Sequence, residues 1–340
     1  GFPLVTTLMG KGAVAETDPQ VLGMVGMHGK PAANLALSSC DLLIALGVRF
    51  SDRVTGRPEG FIPQATIIHV DIDPAELRKN IATEIPVVCD LKVFISELLK
   101  KLEEEKAAFS IGEWLEEIRI WQKDYPLHYQ QDNSLKPQQI IEEVARQAGG
   151  EVIVTTDVGQ HQMFTAQYYP ISGRRNFLTS GGLGTMGFGL PAAMGAAFGR
   201  PREKVILFTG DGSFQMCIQE LATIAQHNLP VKIFVLDNSC LGMVRQWQEL
   251  FYEKHYASTI FENNPDFVKL AEAYGIKGIR VKAWDDLPLA VRQALEAEGP
   301  VIVHCLVDQA ENVLPIVPPG GKPNEMLGRW RGETHISRIS

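Results

Sequence analysis

The sequence contains few cysteines, and it lacks long apolar runs and clusters of basic residues. The five cysteines are Cys40, Cys89, Cys217, Cys240 and Cys305. They lie far apart and form no CxxC pair, which argues against a zinc ribbon and against a disulfide framework. We therefore expect a reducing compartment and a cytoplasmic protein. No apolar run approaches the roughly 18 residues that a spanning helix needs, and the first residues do not resemble a secretory signal. We expect neither a membrane chain nor a secreted one.

Basic residues are not in excess. The 32 Lys and Arg residues are scattered among 40 Asp and Glu residues, and the net charge is −8. A nucleic-acid-binding surface needs a concentrated positive charge, so we expect no nucleic acid partner. The 340 residues, 45% of them hydrophobic, are enough to build a sizeable core, and this length favours two α/β domains over one.

Apolar strand-like runs alternate with helical segments in the first part of the chain. The runs DLLIALG (41–47) and ATIIHVDID (65–73) are short and rich in β-branched residues, and a helix is predicted over 30–39. Such runs are typical of buried parallel strands. We predict a doubly wound parallel-sheet domain over 1–95. Because the sequence opens inside an extended segment (2–8), we expect it to be a fragment of a longer protein.

A charged, helical stretch follows, and we interpret 96–134 as a connector with a solvated face. A second alternation then predicts another doubly wound parallel-sheet domain over 135–340. Its predicted helices lie at 137–148, after 159, from 185, at 213–226, around 247 and at 266–274, and its predicted strands at 151–157, near 177–180, at 204–210, 231–238 and 300–307. The last forty residues, which include PPGGKP, are predicted to form a flexible tail.

The strongest functional signal lies at the ends of two predicted strands. The strand KVILFTG is followed by Asp211, and Asn238 ends the next strand after 25 intervening residues from Ser213 to Asp237. In a parallel sheet, ligands bind beyond the carboxyl ends of strands. The Asp211 carboxylate, the Asn238 amide oxygen and the backbone carbonyl of Cys240 would offer hard oxygen ligands for Mg²⁺ beside a diphosphate. The alternative is that GDG (210–212) is only a strand-to-helix turn.

Several segments together resemble the thiamine-diphosphate enzymes, and in finer detail their acetolactate synthase branch. They are the GDG–25 residues–Asn pattern, VGQHQM at 158–163, TSGGLGTMGFGLPAA at 179–193 and LGMVRQWQ at 241–248. The resemblance implies thiamine diphosphate as cofactor and Mg²⁺ bound by Asp211, Asn238 and Cys240. The implied cofactor contacts are Val158, Gly159, Gln160, His161, Gly184, Met186, Gly210, Asp211, Gly212, Ser213, Asn238, Cys240, Leu241, Gly242 and Met243.

The resemblance also implies catalytic positions on the segment LGMVRQWQ. Met243 would wedge between the two rings of the cofactor, and its unbranched thioether suits that role. Trp247 would line the substrate pocket and favour 2-oxobutyrate as second substrate, and Val244 lies between them. Without the resemblance, Met243 would be interpreted as a core helix residue, Trp247 as a packed surface aromatic, and His161 as a satisfied polar residue.

The first domain resembles the FAD-binding middle domain of the same enzymes. The segments that carry this resemblance are GMHGKPAANLA (26–36), GVRFSDRVTG (47–56), HVDIDP (69–74) and VVCDLK (87–92). The implied FAD contacts are Thr7, Leu8, Met27, His28, Gly47, Val48, Arg49, Arg53, Val54, Asp71, Ile72, Asp90 and Leu91. Arg49 and Arg53 would pair with the diphosphate and Asp71 with ribose hydroxyls; a surface ion pair is the alternative for the arginines. Ser51 stands where the family usually has an acidic residue.

The implied activity is that of an acetolactate synthase. Such an enzyme decarboxylates pyruvate on thiamine diphosphate and joins the hydroxyethyl unit to a second 2-oxo acid, pyruvate or 2-oxobutyrate, in branched-chain amino-acid biosynthesis. FAD would be structural. The family's N-terminal pyrimidine-binding domain, with its activating glutamate, is not recognised in this sequence, so we expect this chain alone to be inactive. We expect a homodimer or tetramer of the full enzyme, with a small regulatory subunit as a further candidate partner.

Three alternatives stay open at this point. One is another thiamine-diphosphate enzyme, of the pyruvate oxidase or glyoxylate carboligase type, which the LGMVRQW segment disfavours. Another is a cofactor-binding module without turnover. A nicotinamide dehydrogenase is disfavoured, because hydride transfer would give Asn238 no role.

Overall fold

The structure is a computed structural model, and it describes residues 1–149, 151–173, 175–330, 333 and 335–339. The chain divides into two compact units. Unit 1 comprises Gly1–Thr7, Pro19–His128 and Leu314–Ser340, and unit 2 comprises Leu8–Asp18 and Tyr129–Val313. Both contain parallel sheets with helices. The predicted α/β class is therefore confirmed.

Unit 1 contains two small parallel sheets. The first pairs β1 (Leu4–Thr6) with β2 (Val21–Met24), and the second has the order β3 (Leu42–Leu46), β4 (Thr66–Asp71), β5 (Ile85–Val88). Along the chain, helix α1 (Pro31–Ser39) connects β2 to β3, and helix α2 (Asp52–Thr55) lies between β3 and β4. The strands β3 and β4 and the helix α1 match the sequence prediction. The strands β2 and β5 were not predicted, because each is only four residues long.

The predicted connector over 96–134 is wrong for most of its length, because that stretch contributes to unit 1. Helix α3 (Leu91–Glu104) is capped by the Asp90 carboxylate and has no buried residue, as its charge run indicates. Helix α4 (Gly112–Asp124) buries Ile118, and Trp114 and Trp121 pack with it against the core of unit 1. This apolar stripe at helical spacing requires a partner surface, which the core of unit 1 provides.

Unit 2 is built on one six-stranded parallel sheet. Its strands are β6 (Val152–Thr156), β7 (Phe177–Leu178), β8 (Lys204–Gly210), β9 (Val231–Asp237), β10 (Lys277–Val281) and β11 (Val301–Leu306), in the spatial order β10-β11-β9-β8-β6-β7. Every residue of β9, and every residue of β8 except Lys204, is buried. A parallel strand that is covered by helices on both faces is rich in apolar residues along its whole length. For this reason the sequence predicted β8 and β9 well.

The helices of unit 2 cover this sheet. They are α5 (Pro137–Ala148), α6 (Gln160–Tyr168), α7 (Gly189–Gly199), α8 (Asp211–Phe214), α9 (Glu220–Gln226), α10 (Gly242–Phe251), α11 (Phe267–Ala273) and α12 (Leu287–Glu296). The strand β10 and the helix α12 were not predicted.

Two predicted helices differ from the structure. The helix expected from 185 begins at Gly189, because the Asp157 carboxylate accepts hydrogen bonds from the N–H groups of Gly187 and Gly189 and holds a turn before the helix. The helix expected over 213–226 is broken into α8 and α9. Between them, the N–H groups of Met216 and Cys217 bond three residues back, which tightens the chain into turns.

The flexible tail predicted for the last forty residues is wrong where the structure describes that segment, as is its assignment to the second domain. Val317, Met326 and Trp330 are buried and pack with Leu35 and Tyr125 in unit 1. Two short strands, β12 (Leu327–Gly328) and β13 (Ser337–Arg338), pair antiparallel. Apolar residues spaced among Pro and Gly carry no periodic signal, so their burial was not visible in the sequence. Residues 331, 332, 334 and 340 lie outside the described part.

Candidate functional site

Polar side chains follow three adjacent strands at one edge of the sheet in unit 2. Asp157 follows β6, Asp211 follows β8 and Asn238 follows β9, and the sheet places β8 between the other two. Because the strands are parallel, their carboxyl ends meet at the same edge. This geometry is the one that the sequence predicted for Asp211 and Asn238, whereas Asp157 was not singled out.

A cavity of about 280 Å³ lies at this edge. All fifteen cofactor positions that were predicted in the second domain line it, as does Val244. Five further residues that the sequence analysis missed complete its lining: Pro137, Gln162, Phe164, Leu236 and Val307. The structure therefore brings together residues that span the chain from 137 to 307 around one space.

The Asp211 carboxyl lies in an environment that disfavours a lone negative charge. It is almost completely buried, and burial together with the neighbouring Asp237 carboxylate raises its pKa to about 7, although a hydrogen bond from Asn264 opposes the rise. A cation bound beside Asp211 would offset both the cost of burying its charge and the repulsion from Asp237. The site is thus electrostatically suited to a divalent ion.

Asp237 ends β9 and carries the second carboxylate. Burial alone would raise its pKa, but hydrogen bonds from His304 and from the Ser239 N–H hold the pKa below its usual range. The His304 Nε2 lies 2.8 Å from Asp237 Oδ2, and the Ser239 N–H donates to Oδ1 over 3.0 Å. Asp237 is therefore the carboxylate of the pair that stays ionised, and it keeps negative charge beside Asp211.

The Asn238 side chain is oriented by its neighbours. Its Nδ2 donates to Gln160 Oε1 over 3.1 Å, while its Oδ1 accepts from the Cys240 N–H over 3.2 Å. Gln160 in turn donates to Gln246 Oε1 over 2.9 Å and to the Glu311 carbonyl over 3.0 Å. The amide group of Asn238 thus has a defined direction, and its oxygen is the end that a cation requires.

Two observations test whether these residues fit a magnesium ion and a diphosphate. First, burial raises the pKa of the Cys240 thiol to about 12, so the thiol stays protonated, and the hard oxygen that this residue can offer to a cation is its carbonyl. Second, the His161 ring is buried, burial lowers its pKa to about 4, and its Nε2 has no hydrogen-bond partner among the described residues. A buried unpartnered nitrogen costs about 1–3 kcal/mol, which a ligand in this cavity would offset.

The helix α10 carries the three predicted catalytic positions. Met243 and Val244 line the cavity. Trp247 lies one turn further along the helix, is half-buried and packs edge-on against Phe251 with ring centroids 5.6 Å apart. Trp247 is not among the residues that line the cavity in the described part of the chain, so its role in substrate selection stays a prediction.

Comparison with known proteins agrees with this geometry. The family described as "Thiamine pyrophosphate enzyme, C-terminal TPP binding domain" matches residues 157–305, and "Thiamine pyrophosphate enzyme, central domain" matches residues 1–98. The chain belongs to the thiamine pyrophosphate enzyme family. It is 47% identical to the acetolactate synthase large subunit of Cyanidium caldarium, over 96% of this chain and 56% of that protein. It is 44% identical to the acetolactate synthase isozyme 2 large subunit of Escherichia coli, over 96% of this chain and 58% of that protein.

The chain spans less than two thirds of the length of these relatives, between 56% and 58% of those compared above. The matched families correspond to the central and thiamine-pyrophosphate-binding domains that the sequence predicted. Unit 2 therefore contains a thiamine-diphosphate-binding domain, and all of the residues that line the cavity except Pro137 and Val307 lie in the matched range.

In unit 1, most of the predicted FAD positions follow the carboxyl ends of strands. They are Thr7 after β1, Met27 and His28 after β2, Gly47, Val48 and Arg49 after β3, Asp71 and Ile72 at the end of β4, and Asp90 and Leu91 after β5. Arg53 and Val54 lie on α2, and Leu8 belongs to unit 2. The structure thus places the positions at Gly47, Asp71 and Asp90 along one edge of the three-stranded sheet.

The polar members of this set have different surroundings. Arg53 is exposed and forms a surface ion pair with Asp52, with 2.8 Å between Nη1 and Oδ2, which is the alternative that the sequence analysis left open. His28 is buried, its Nδ1 lies 3.3 Å from the Pro315 carbonyl, and burial lowers its pKa to about 4. Asp71 is buried and accepts a hydrogen bond from the Asp73 N–H. FAD binding in this unit stays a prediction.

Other expectations concern the cysteines and the membrane. All five cysteines fall within the described residues and all are free thiols. Within the described part of the chain, no helix is both long and apolar enough to cross a membrane.

The raised pKa of Asp211 predicts a pH dependence of stability. In the folded, metal-free protein the pKa is about 7, against an ordinary value of 3.8, so stability from the protonated carboxyl is fully present below about pH 4 and is lost as the pH rises through 7. Denaturant unfolding between pH 4 and 8 measures this loss. The pKa of the neighbouring Asp237 carboxyl is shifted as well, so Asp211→Asn is used to isolate the contribution of Asp211, because an amide side chain does not titrate. A wild-type curve parallel to that of the variant would contradict the prediction.

Proposed function

We propose that this chain binds thiamine diphosphate and Mg²⁺ in the cavity of unit 2 and belongs to an acetolactate synthase. The observation that carries the proposal is the position of Asp211 and Asn238 at the ends of adjacent strands, in a cavity lined by all fifteen positions predicted to contact thiamine diphosphate. The similarity to proteins named acetolactate synthase large subunit supports the finer assignment.

The residues of the chain would act by holding and orienting. Asp211, Asn238 and the Cys240 carbonyl would bind the magnesium ion, and the glycines of the GDG turn would let the backbone approach the diphosphate. Met243 would support the bent form of the cofactor. When bound, thiamine diphosphate supplies a carbon nucleophile that adds to the keto carbon of a 2-oxo acid and accepts the electrons released on decarboxylation.

The substrates we propose are pyruvate and a second 2-oxo acid, pyruvate or 2-oxobutyrate. The relatives are named large subunits, and this name supports a homo-oligomer of the complete enzyme with a smaller regulatory partner. FAD would bind at the strand ends of unit 1 as a structural group. A cytoplasmic location agrees with the free cysteines.

Calorimetry on this chain tests the cofactor proposal. We expect thiamine diphosphate to bind in the presence of Mg²⁺ and to bind much more weakly when a chelator removes the ion. Equal binding with and without Mg²⁺, or no binding at all, would overturn the proposal. Product analysis of the complete enzyme with pyruvate then separates the activities, because acetolactate supports the synthase whereas hydrogen peroxide supports an oxidase of the same family.

A second candidate function is cofactor binding without turnover by this chain alone. It is favoured by the length of the relatives, since the chain spans only 56% to 58% of those compared above. If the isolated chain binds the cofactor in the presence of magnesium but releases no CO₂ from pyruvate, this result would support cofactor binding without turnover.

A further inference from the structure

Asn264 joins the two carboxylates behind the cavity. Its Nδ2 donates to Asp211 Oδ2 over 2.6 Å and to Asp237 Oδ1 over 2.9 Å. An amide NH₂ group has two hydrogens, so Asn264 can donate one to each carboxylate. Asn264 is not among the residues that line the cavity, and any effect on a bound ion must pass through Asp211.

The position of Asn264 is fixed on both sides by the backbone. Before it, Cys240 and Ile260 form an isolated antiparallel bridge, in which Leu241 N–H donates to the Thr259 carbonyl over 2.8 Å and Phe261 N–H to the Ser239 carbonyl over 2.9 Å. The bridge therefore attaches this segment to the loop that carries Asn238 and Cys240.

After Asn264, the chain enters a capped helix. The Asp266 carboxylate accepts hydrogen bonds from the N–H groups of Val268 and Lys269 at the start of α11, and it also pairs with Arg280. Asn264 thus stands between a β-bridge and a helix cap, so its amide reaches the two carboxylates from a constrained backbone.

The two carboxylates differ in how firmly they are held. Asp237 has His304 and Ser239 as further donors, so its orientation does not depend on Asn264. At Asp211 the amide takes Oδ2, which directs Oδ1 to be the oxygen that meets a cation. Without the amide, Asp211 Oδ2 would lose this donor, and the orientation that leaves Oδ1 for a cation would no longer be fixed by Asn264.

We propose that Asn264 is a positioning residue that presents the Asp211 carboxylate to the magnesium ion. The inference rests on the proposed function, because it requires that Asp211 binds the ion. It assigns a role to a residue 53 positions from Asp211 in the sequence and outside the GDG–Asn pattern.

The test compares Asn264→Ala with Asn263→Ala on the full chain. Asn263 is the exposed neighbour of the same residue type, so it controls for the loss of an amide in this segment. Calorimetric titration with Mg²⁺ at a fixed concentration of thiamine diphosphate should show the apparent affinity for Mg²⁺ reduced about tenfold in Asn264→Ala, the scale expected for one charge-assisted hydrogen bond. Asn263→Ala should match the wild type.

A second measurement separates positioning from a general structural defect. At saturating Mg²⁺, the affinity of Asn264→Ala for thiamine diphosphate should return to the wild-type value, because excess ion compensates for a weakened ligand. A damaged fold would not recover. If Asn264→Ala does not fold, Asn264→Leu keeps a side chain of similar size, removes the donor and adds no charge, and we expect a loss of the same size.

The outcomes are distinguishable. Wild-type affinity for Mg²⁺ in a folded variant at position 264, or a loss that excess Mg²⁺ does not reverse, would overturn the role of Asn264. A wild-type chain that binds no Mg²⁺ with thiamine diphosphate would instead overturn the proposed function.

Discussion

Replacing Asp211 with alanine should reduce the magnesium-dependent affinity for thiamine diphosphate on the order of a hundredfold, the scale for removing one charged partner from a buried pair. Asp211 is the only charged side chain among the three proposed magnesium ligands, and it is almost fully buried. Without it, the ion would keep only neutral amide and carbonyl oxygens from the protein. Calorimetry with and without Mg²⁺ measures the change.

The matched control is Glu262→Ala, which removes the same charge from an exposed position in the neighbouring segment and should leave binding unchanged. Asp211→Asn gives an independent check. It should bind Mg²⁺ weakly, yet the metal-free variant should be more stable than the wild type at pH 8, because the repulsion from Asp237 and the cost of a buried charge are both removed. Unchanged binding in Asp211→Ala would show that the ion, if bound, does not depend on this strand end.

Replacing Gly242 with alanine should reduce cofactor affinity at least about tenfold and destabilise the protein by about 1–3 kcal/mol, the usual cost of overpacking a dense site. An added Cβ would collide with Gln160 Oε1 and would lie 2.6 Å from Asn238 Nδ2. Those two atoms are hydrogen-bonded to each other. To make room, the Asn238 amide would have to leave the orientation that presents its oxygen to the cavity.

Gly195→Ala is the control for this substitution. Gly195 lies inside α7, and a Cβ there meets nothing within 4 Å, so alanine should stabilise the helix by about 0.5–1 kcal/mol. Chemical denaturation measures both changes, and calorimetry measures the binding. A Gly242→Ala variant that binds thiamine diphosphate as tightly as Gly195→Ala would mean that the Gln160 and Asn238 side chains move without consequence.

The central part of the site was visible in the sequence because its signals are local. The strands β8 and β9 are buried on both faces, so each contains an apolar run, VILF in β8 and IFVL in β9. A polar residue soon after such a run marks the carboxyl edge of the sheet. Asp211 and Asn238 were found in this way. Asp157 ends a run of the same kind and was overlooked, although the same signal identifies it, and its carboxylate accepts bonds from the N–H groups of Val158, Gly187 and Gly189.

Other features depend on contacts between distant segments. Asn264 donates a hydrogen bond to Asp211, and the β-bridge between Cys240 and Ile260 holds its segment in place. No residue pattern near Asn264 predicts that contact. The same holds for Trp330, which packs with Val317 and Met326 in unit 1 although its surroundings in the sequence, rich in Gly and Pro, suggested a flexible tail.

The sequence by itself determined the α/β class, the strand ends that carry Asp211 and Asn238, and the family, because each is encoded in a short run of residues or in a fixed spacing. Only the tertiary structure decided which side chains orient those ligands, where the last segment packs, and that Trp247 lies outside the cavity lining. The physical reason is that burial and hydrogen bonding between remote segments depend on how the backbone folds back on itself. The local periodicity of apolar residues reports only the secondary structure of each segment and does not predict those contacts.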